Sequence, residues 1–311
     1  MSGLHFERVA FIGIGHIGSS LARVILRDKL AGSIVACARR PKTRDAVMRL
    51  KLADTVTADP SAAVRGADLV VIATPLSTYV EIGKAIAPHL KPGAIVTDVG
   101  SVKELVVRDF APLLPAGVHL VPGHPVAGTE NSGPESGFAE VFQNRWCILT
   151  PLPDGDAAAL ARITALWEAA GMKVVTMDAA HHDMVLAITS HLPHLIAYTI
   201  VGTATDLEDT LKSEVIKFSA GGFRDFTRIA ASDPVMWRDV FLNNREAVLE
   251  MLQRFSEDLT ALQRAIRFSD GDTLYRLFVE ARATRRGIIQ AGQDTAAPDF
   301  GRHGPVKPGG A

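Results

Sequence analysis

The feature that most constrains this chain is the run Gly13-Ile14-Gly15-His16-Ile17-Gly18. It follows a β-branched stretch at residues 8–12 and opens a segment with apolar residues at helical spacing, residues 17–26. Glycines at this spacing build a strand–turn–helix unit. The first permits a tight turn, the second lets a ligand approach the backbone, and the third lets helix and strand pack closely. The first amides of the helix then face an anion. The run Gly13, Ile14, Gly15, His16, Ile17 and Gly18 is therefore read as a cradle for a dinucleotide pyrophosphate. Ser19 and Ser20 are expected to add hydroxyl donors.

The next strand is expected at residues 34–38. An acid about 20 residues beyond the glycines would accept from a ribose 2′-OH and select NAD. Ala38 stands there instead, followed by Arg39 and Arg40. Two guanidinium groups suit a 2′-phosphate, or stack on adenine, so NAD and NADP both stay open. Thr74 and Pro75, just past the apolar run at residues 68–73, are assigned to the same cofactor site.

Short apolar runs continue at residues 94–99, 118–121, 146–149 and 173–176, alternating with helical stretches at 44–52 and 77–90. Such alternation implies βαβ units and a parallel sheet. Beyond residue 178 only helical periodicity remains, at 179–205, 206–218, 233–268 (room for two helices) and 272–289. The expected fold is α/β. A Rossmann-type doubly wound parallel sheet occupies residues 1–178 and an all-helical domain residues 179–298. A Gly- and Pro-rich disordered tail takes 299–311. Two domains suit 311 residues.

Lys and Arg total 33 against 34 acids, a net charge of −1, which removes bulk electrostatics as a reason to bind nucleic acid. Two cysteines, Cys37 and Cys147, make no disulfide framework, and residues 1–6 lack the basic-then-apolar pattern of a leader. A cytoplasmic protein is expected. Residues 184–205 hold no charged side chain and reach transmembrane length. Thr189, Ser190, His191, Pro193 and His194 interrupt them, and flanking Lys or Arg is absent. This is read as a buried helix of a soluble protein, not a membrane span. It is too apolar for a solvated surface, so unless other helices wrap it a homodimer through the helical domain is expected. No histidine falls at zinc-ligand spacing, and no metal is expected.

Three further segments read as site-building loops: DVGSVK from Asp98, GHPVAGTE from Gly123 and GGFRDFTRIA from Gly221. With SHLPH from Ser190 and DPVMWRD from Asp233, in this order, the chain resembles the prephenate/arogenate (cyclohexadienyl) dehydrogenase family of tyrosine biosynthesis. The resemblance runs over about residues 8–268. It implies NAD(P)-dependent oxidative decarboxylation of prephenate to 4-hydroxyphenylpyruvate, of arogenate to tyrosine, or both. It implies that His124 is the base on the ring hydroxyl and that Ser101 orients that hydroxyl. It sets Arg228, His194, Ser190 and His182 at the substrate, and Glu130, Arg224 and Asp225 at the pocket entrance. The family often carries lysine where Arg224 stands. A β-hydroxyacid-type dehydrogenase would need a lysine within residues 184–205, and there is none. A dinucleotide-sensing protein would not need both His124 and Arg228.

Overall fold

The computed structural model describes residues 4–206, 214, 217 and 221–290. Most of the helix expected at 206–218 and the tail at 299–311 lie outside the described residues. Six strands form one parallel sheet: β1 (Phe6–Ile12), β2 (Ala31–Cys37), β3 (Thr55–Thr57), β4 (Leu69–Ile72), β5 (Ile95–Asp98) and β6 (His119–Val121), ordered β3-β2-β1-β4-β5-β6. This is the doubly wound order, with its reversal between β1 and β4. Strand sequences explain the layers. Val9 and Phe11 of β1, with Leu69 and Val71 of β4, enter one buried cluster, while Ala10, Ile12, Val70 and Ile72 enter the other. Period-2 alternation of apolar side chains thus fills both faces, as a parallel sheet requires. Helix α1 (His16–Arg27) covers the first face with Leu21, Val24 and Ile25. Helices α2 (Pro41–Arg49), α3 (Pro60–Val64) and α4 (Tyr79–Ile86) complete the crossovers.

The strands expected at 146–149 and 173–176 do form, but not in that sheet. β7 (Gly123–Pro125), β8 (Trp146–Leu149) and β9 (Lys173–Thr176) make a second sheet. β7 pairs antiparallel with β8, and β8 parallel with β9. The segment from Gly123 read as a loop therefore begins as a strand. Pro122 separates β6 from β7 and offers no N–H to a ladder, so the chain can bend there and pair anew. Helix α5 (Ala157–Ala169) is capped by Asp156, which accepts from Ala159 N at 2.6 Å. It buries Ile163, Leu166 and Trp167, the last edge-on to Phe142 at 5.4 Å.

In the helical half, α6 (Ala179–Leu186), a π turn (Ala187–His191) and α7 (Leu192–Thr205) run on as one 27-residue helical segment. The π turn lies just before Pro193, whose ring displaces the carbonyl four residues back and whose nitrogen cannot donate. Then come α8 (Gly221–Thr227), a 3-10 turn (Arg228–Ala231), α9 (Pro234–Asn243), α10 (Arg245–Arg267) and α11 (Gly271–Gln290). The 233–268 stretch is two helices, divided at Asn244.

The long run Ala179–Thr205 is apolar and long enough to cross a membrane, yet only 28% of its most apolar window is buried inside this chain. The sequence reading of a buried helix is thus not met within one copy. The helical core is small: Ala187, Leu192, Val248 and Met251. The two halves are nonetheless joined. Trp237 and Val240 of α9 enter the second sheet-face cluster, and Asp239 accepts from Ser77 N at 3.2 Å.

Removing the largest fully buried side chain tests the first core: Trp167→Ala is expected to lower unfolding free energy by about 3–5 kcal/mol in urea titration.

Candidate active site

The carboxyl ends of β1, β4 and β5 converge where the strand order reverses, the usual ligand crevice of such sheets. Gly13 has φ +88°, and a Cβ there would lie 2.5 Å from Ala73 O and 2.7 Å from the Thr74 side chain. The glycine loop therefore presses onto the end of β4, beside Thr74 and Pro75. Gly15 differs: a Cβ there would meet nothing within 4 Å. Gly15 is also the N-cap of α1, with no side-chain cap and no acid in the first turn. Its uncapped amides and open space fit a phosphate. Gly18 would bring a Cβ to 3.0 Å from Gly13 O, which explains the third glycine.

One expectation changes here, that for Ser19 and Ser20. Ser19 and Ser20 are fully buried, and both hydroxyls donate to His16 O, at 3.1 and 2.8 Å. They face the Gly137–Phe138 segment, where Ser20 Oγ also accepts from Phe138 N at 3.1 Å, so both hydroxyls are engaged within the protein. The His16 ring turns to Ser136 Oγ at 3.0 Å, which leaves its backbone as its part in the loop. Arg39 and Arg40 are exposed, and neither side chain bonds any described residue. Arg44 shapes that corner by donating to Ala38 O at 2.9 Å and Arg39 O at 2.7 Å.

Beneath the crevice sits a buried ion pair. Lys103 Nζ donates to Asp98 Oδ2 at 2.5 Å and to Gly123 O at 2.7 Å, and both side chains have no exposure. Asp98 Oδ2 also accepts from Tyr79 Oη at 3.0 Å and Gly100 N at 2.8 Å, and Oδ1 from Gly123 N at 3.2 Å. Burial pulls the Lys103 ammonium below its ordinary value of 10.5, with Asp98 opposing the shift. The pair ties the loop bearing Ser101 to the strand bearing His124. Ser101 is half-buried and its hydroxyl bonds no described residue.

His124, on β7, is 8% exposed, and its Nδ1 lies 2.9 Å from His182 Nε2. His182 Nδ1 lies 2.7 Å from Asp183 Oδ1. Asp183 accepts from the backbone N–H groups of Lys103 at 2.8 Å and Glu104 at 2.9 Å. Desolvation, reinforced by His182, Lys103 and His191, holds His124 well below the ordinary imidazole value of 6.5. It is neutral at pH 7. The sequence reading set His182 at the substrate. In the structure it has no exposure and both ring nitrogens are engaged, so it stands behind His124.

His191 is buried, with Nδ1 3.0 Å from Asn244 Nδ2, which also donates to Asp183 O at 2.8 Å. Burial lowers its pKa to about 4. His194 keeps Nδ1 on Ser190 O at 2.9 Å and stacks on Trp237 at 3.6 Å. Desolvation first, then the Arg228 charge, lowers its pKa too. The Arg228 guanidinium donates to Glu130 Oε2 at 3.0 Å, both partly exposed. Arg224 and Asp225 approach each other at 3.8 Å. Neutral histidines thus line the interior and charged pairs its outer side. Asp183 and Asn244 were not singled out as functional from sequence. The adjacency of Asp183 to His182 was the only available signal. Among the described residues no cluster of potential ligands could hold a metal.

A parallel-sheet nucleotide site beside a buried imidazole and an arginine defines a dinucleotide-dependent dehydrogenase. The sequence matches "Prephenate dehydrogenase, nucleotide-binding domain" over residues 21–176 and "Prephenate dehydrogenase, dimerization domain" over 178–280. It is 43% identical to a cyclohexadienyl dehydrogenase from Zymomonas mobilis, covering 91% of this chain and 96% of that protein. A prephenate dehydrogenase from Bacillus subtilis is 31% identical, over 91% and 76%. The solved A. aeolicus prephenate dehydrogenase, in complex with hydroxyphenyl propionate and NAD+, superposes with TM-score 0.85 at 33% identity, over 92% of this chain and all of that one. This chain belongs to the prephenate dehydrogenase family.

Two glycine variants separate folding from binding. Gly13→Ala should lower the thermal midpoint, because the added carbon meets backbone at φ +88°. Gly15→Ala should leave that midpoint unchanged and weaken cofactor binding on the order of tenfold in a fluorescence titration, about 1.4 kcal/mol.

Proposed function

We propose that this chain oxidatively decarboxylates prephenate, arogenate or both, with NAD or NADP as hydride acceptor. The observation that carries this reading is His124. It is buried, neutral, and held by Nδ1, so that Nε2 is the nitrogen left for a substrate hydroxyl. An imidazole kept unprotonated at neutral pH suits a general base.

The bound nicotinamide supplies the acceptor for the hydride of the carbinol carbon. His124 takes the hydroxyl proton at Nε2, with Ser101 orienting the same hydroxyl. The bond to the ring carboxylate then breaks and CO2 leaves. Its electron pair enters the ring, which becomes aromatic, and the ring oxygen takes its proton back from His124. No net proton is consumed. Arg228 clamps a substrate carboxylate by exchanging Glu130 for it. His194 and Ser190 face the substrate side chain, and Glu130, Arg224 and Asp225 form the charged entrance. Arg39 and Arg40 reach a 2′-phosphate or the adenine, and Thr74 and Pro75 flank the cofactor.

The division at residue 178, with a helical domain to residue 298, follows from the same reading. So does a homodimer through that domain. Its support is the apolar surface the helical half leaves bare, including Ile188, Leu249, Leu259, Ile266 and Phe278. Two buried free thiols, Cys37 and Cys147, accord with a cytoplasmic protein.

Absorbance at 340 nm should rise when the protein meets prephenate or arogenate with NAD or NADP. His124→Asn should cut turnover by about 10²–10⁴-fold while cofactor affinity holds. No reduction with any of the four pairs would overturn the reading. Sedimentation at micromolar concentration should give a dimer; a monomer would remove the dimer proposal.

A further inference from the structure

The chain behind His124 has a direction that hydrogen-bond chemistry dictates. Asp183 is 1% exposed and receives one backbone N–H on each oxygen, from Lys103 and Glu104. A carboxylate only accepts, so the 2.7 Å contact to His182 must be a donation from His182 Nδ1–H. Burial holds His182 below its ordinary value, so the ring is neutral and its Nε2 carries a lone pair. The 2.9 Å contact between that nitrogen and His124 must then be a donation from His124 Nδ1–H. His124, also neutral, is left with its lone pair on Nε2.

We propose that His182 and Asp183 are positioning residues that lock His124 into its Nδ1–H tautomer, keeping the Nε2 lone pair toward the substrate hydroxyl. This rests on the role of His124 proposed above. In the other tautomer Nε2 would donate a proton, and the imidazole could not act as a base there. The lock also serves the protonated state. An imidazolium at His124 keeps its Nδ1–H on an acceptor whose far side meets the Asp183 carboxylate.

The lock spans both halves of the chain. Asp183 and His182 sit on α6, whereas the amides that orient the carboxylate belong to the loop after β5. Other elements present titratable groups to these rings. They are Asp98 and Lys103 from the end of β5 and its loop and His191 in the π turn, while Cys147 on β8 meets the His124 backbone. None of these bonds to His124 Nδ1 or to either His182 ring nitrogen, so the chain Asp183–His182–His124 is the one that assigns the protons.

The direct test is nitrogen-15 NMR of histidine-labelled protein, with His124→Asn to identify the resonance. Wild-type protein should show His124 protonated on Nδ1 and bare on Nε2 at pH 7. A His124 protonated on Nε2 would overturn the lock. His182→Phe removes the acceptor. It should lower kcat about 10- to 100-fold, leave KM and cofactor affinity within about twofold, and change the acid limb of the pH–kcat profile. His182→Gln, which keeps an acceptor oxygen, should recover most of the loss. An unchanged kcat and pH profile in His182→Phe would sink the proposal. Should that variant fail to fold, the wild-type spectrum decides alone. If the protein reduces no cofactor with either substrate yet shows the Nδ1–H form, the lock stands and the proposed function falls.

Discussion

The buried pair of Lys103 and Asp98 is the interaction on which the rest of the site depends. Neither side chain touches solvent, and between them they bind Tyr79, Gly100 and both backbone groups of Gly123. Desolvation cancels most of the attraction in such a pair, so its worth is not chiefly stability. Losing one partner, however, leaves a bare charge in the interior, at a cost of about 3–5 kcal/mol. The consequence is geometric. The end of β5, the loop carrying Ser101 and the strand carrying His124 cannot shift independently.

On that frame the protein sorts its titratable groups by water. The inner histidines, His124, His182 and His191, are buried, and desolvation is the main reason they stay neutral. The charged pair Arg228–Glu130 stays where solvent reaches it. Neutral imidazoles can exchange protons at little electrostatic cost, whereas exposed ion pairs can swap one carboxylate for another. A dicarboxylate substrate whose hydroxyl must lose a proton calls for both environments within one molecule's length. The joint between the two halves supplies them: Asp183 grips the loop after β5, and Trp237 stacks on His194 while packing against the sheet.

The helical half is finished differently. Its own core holds few side chains, and the long run Ala179–Thr205 remains mostly unburied within one chain. The π turn ends at His191, two residues before Pro193. It lets one helix pass a proline without ending, and it sets His191 inward against Asn244 while His194 faces Trp237. His191 and His194 are three residues apart, so they lie on one side of the helical segment. Here both serve the interior.

Much was legible in the residues alone. The glycine run, the alternating apolar stretches and the change to helical periodicity near residue 178 are local patterns, and local sterics and hydrophobic period largely determine what they can form. His124, Arg228 and His194 could be named as candidates because the motifs around them resemble those of the family. What only the tertiary structure decided are relations between distant segments. Pro122 turned the chain into a second sheet, the packing of α1 turned Ser19 and Ser20 inward, and Asp183 joined His182 to the loop after β5 across about 80 residues. Hydrogen-bond partners so far apart in sequence leave no periodic trace. A buried carboxylate shows its purpose only once its donors have been brought to it, because desolvation makes each of them obligatory.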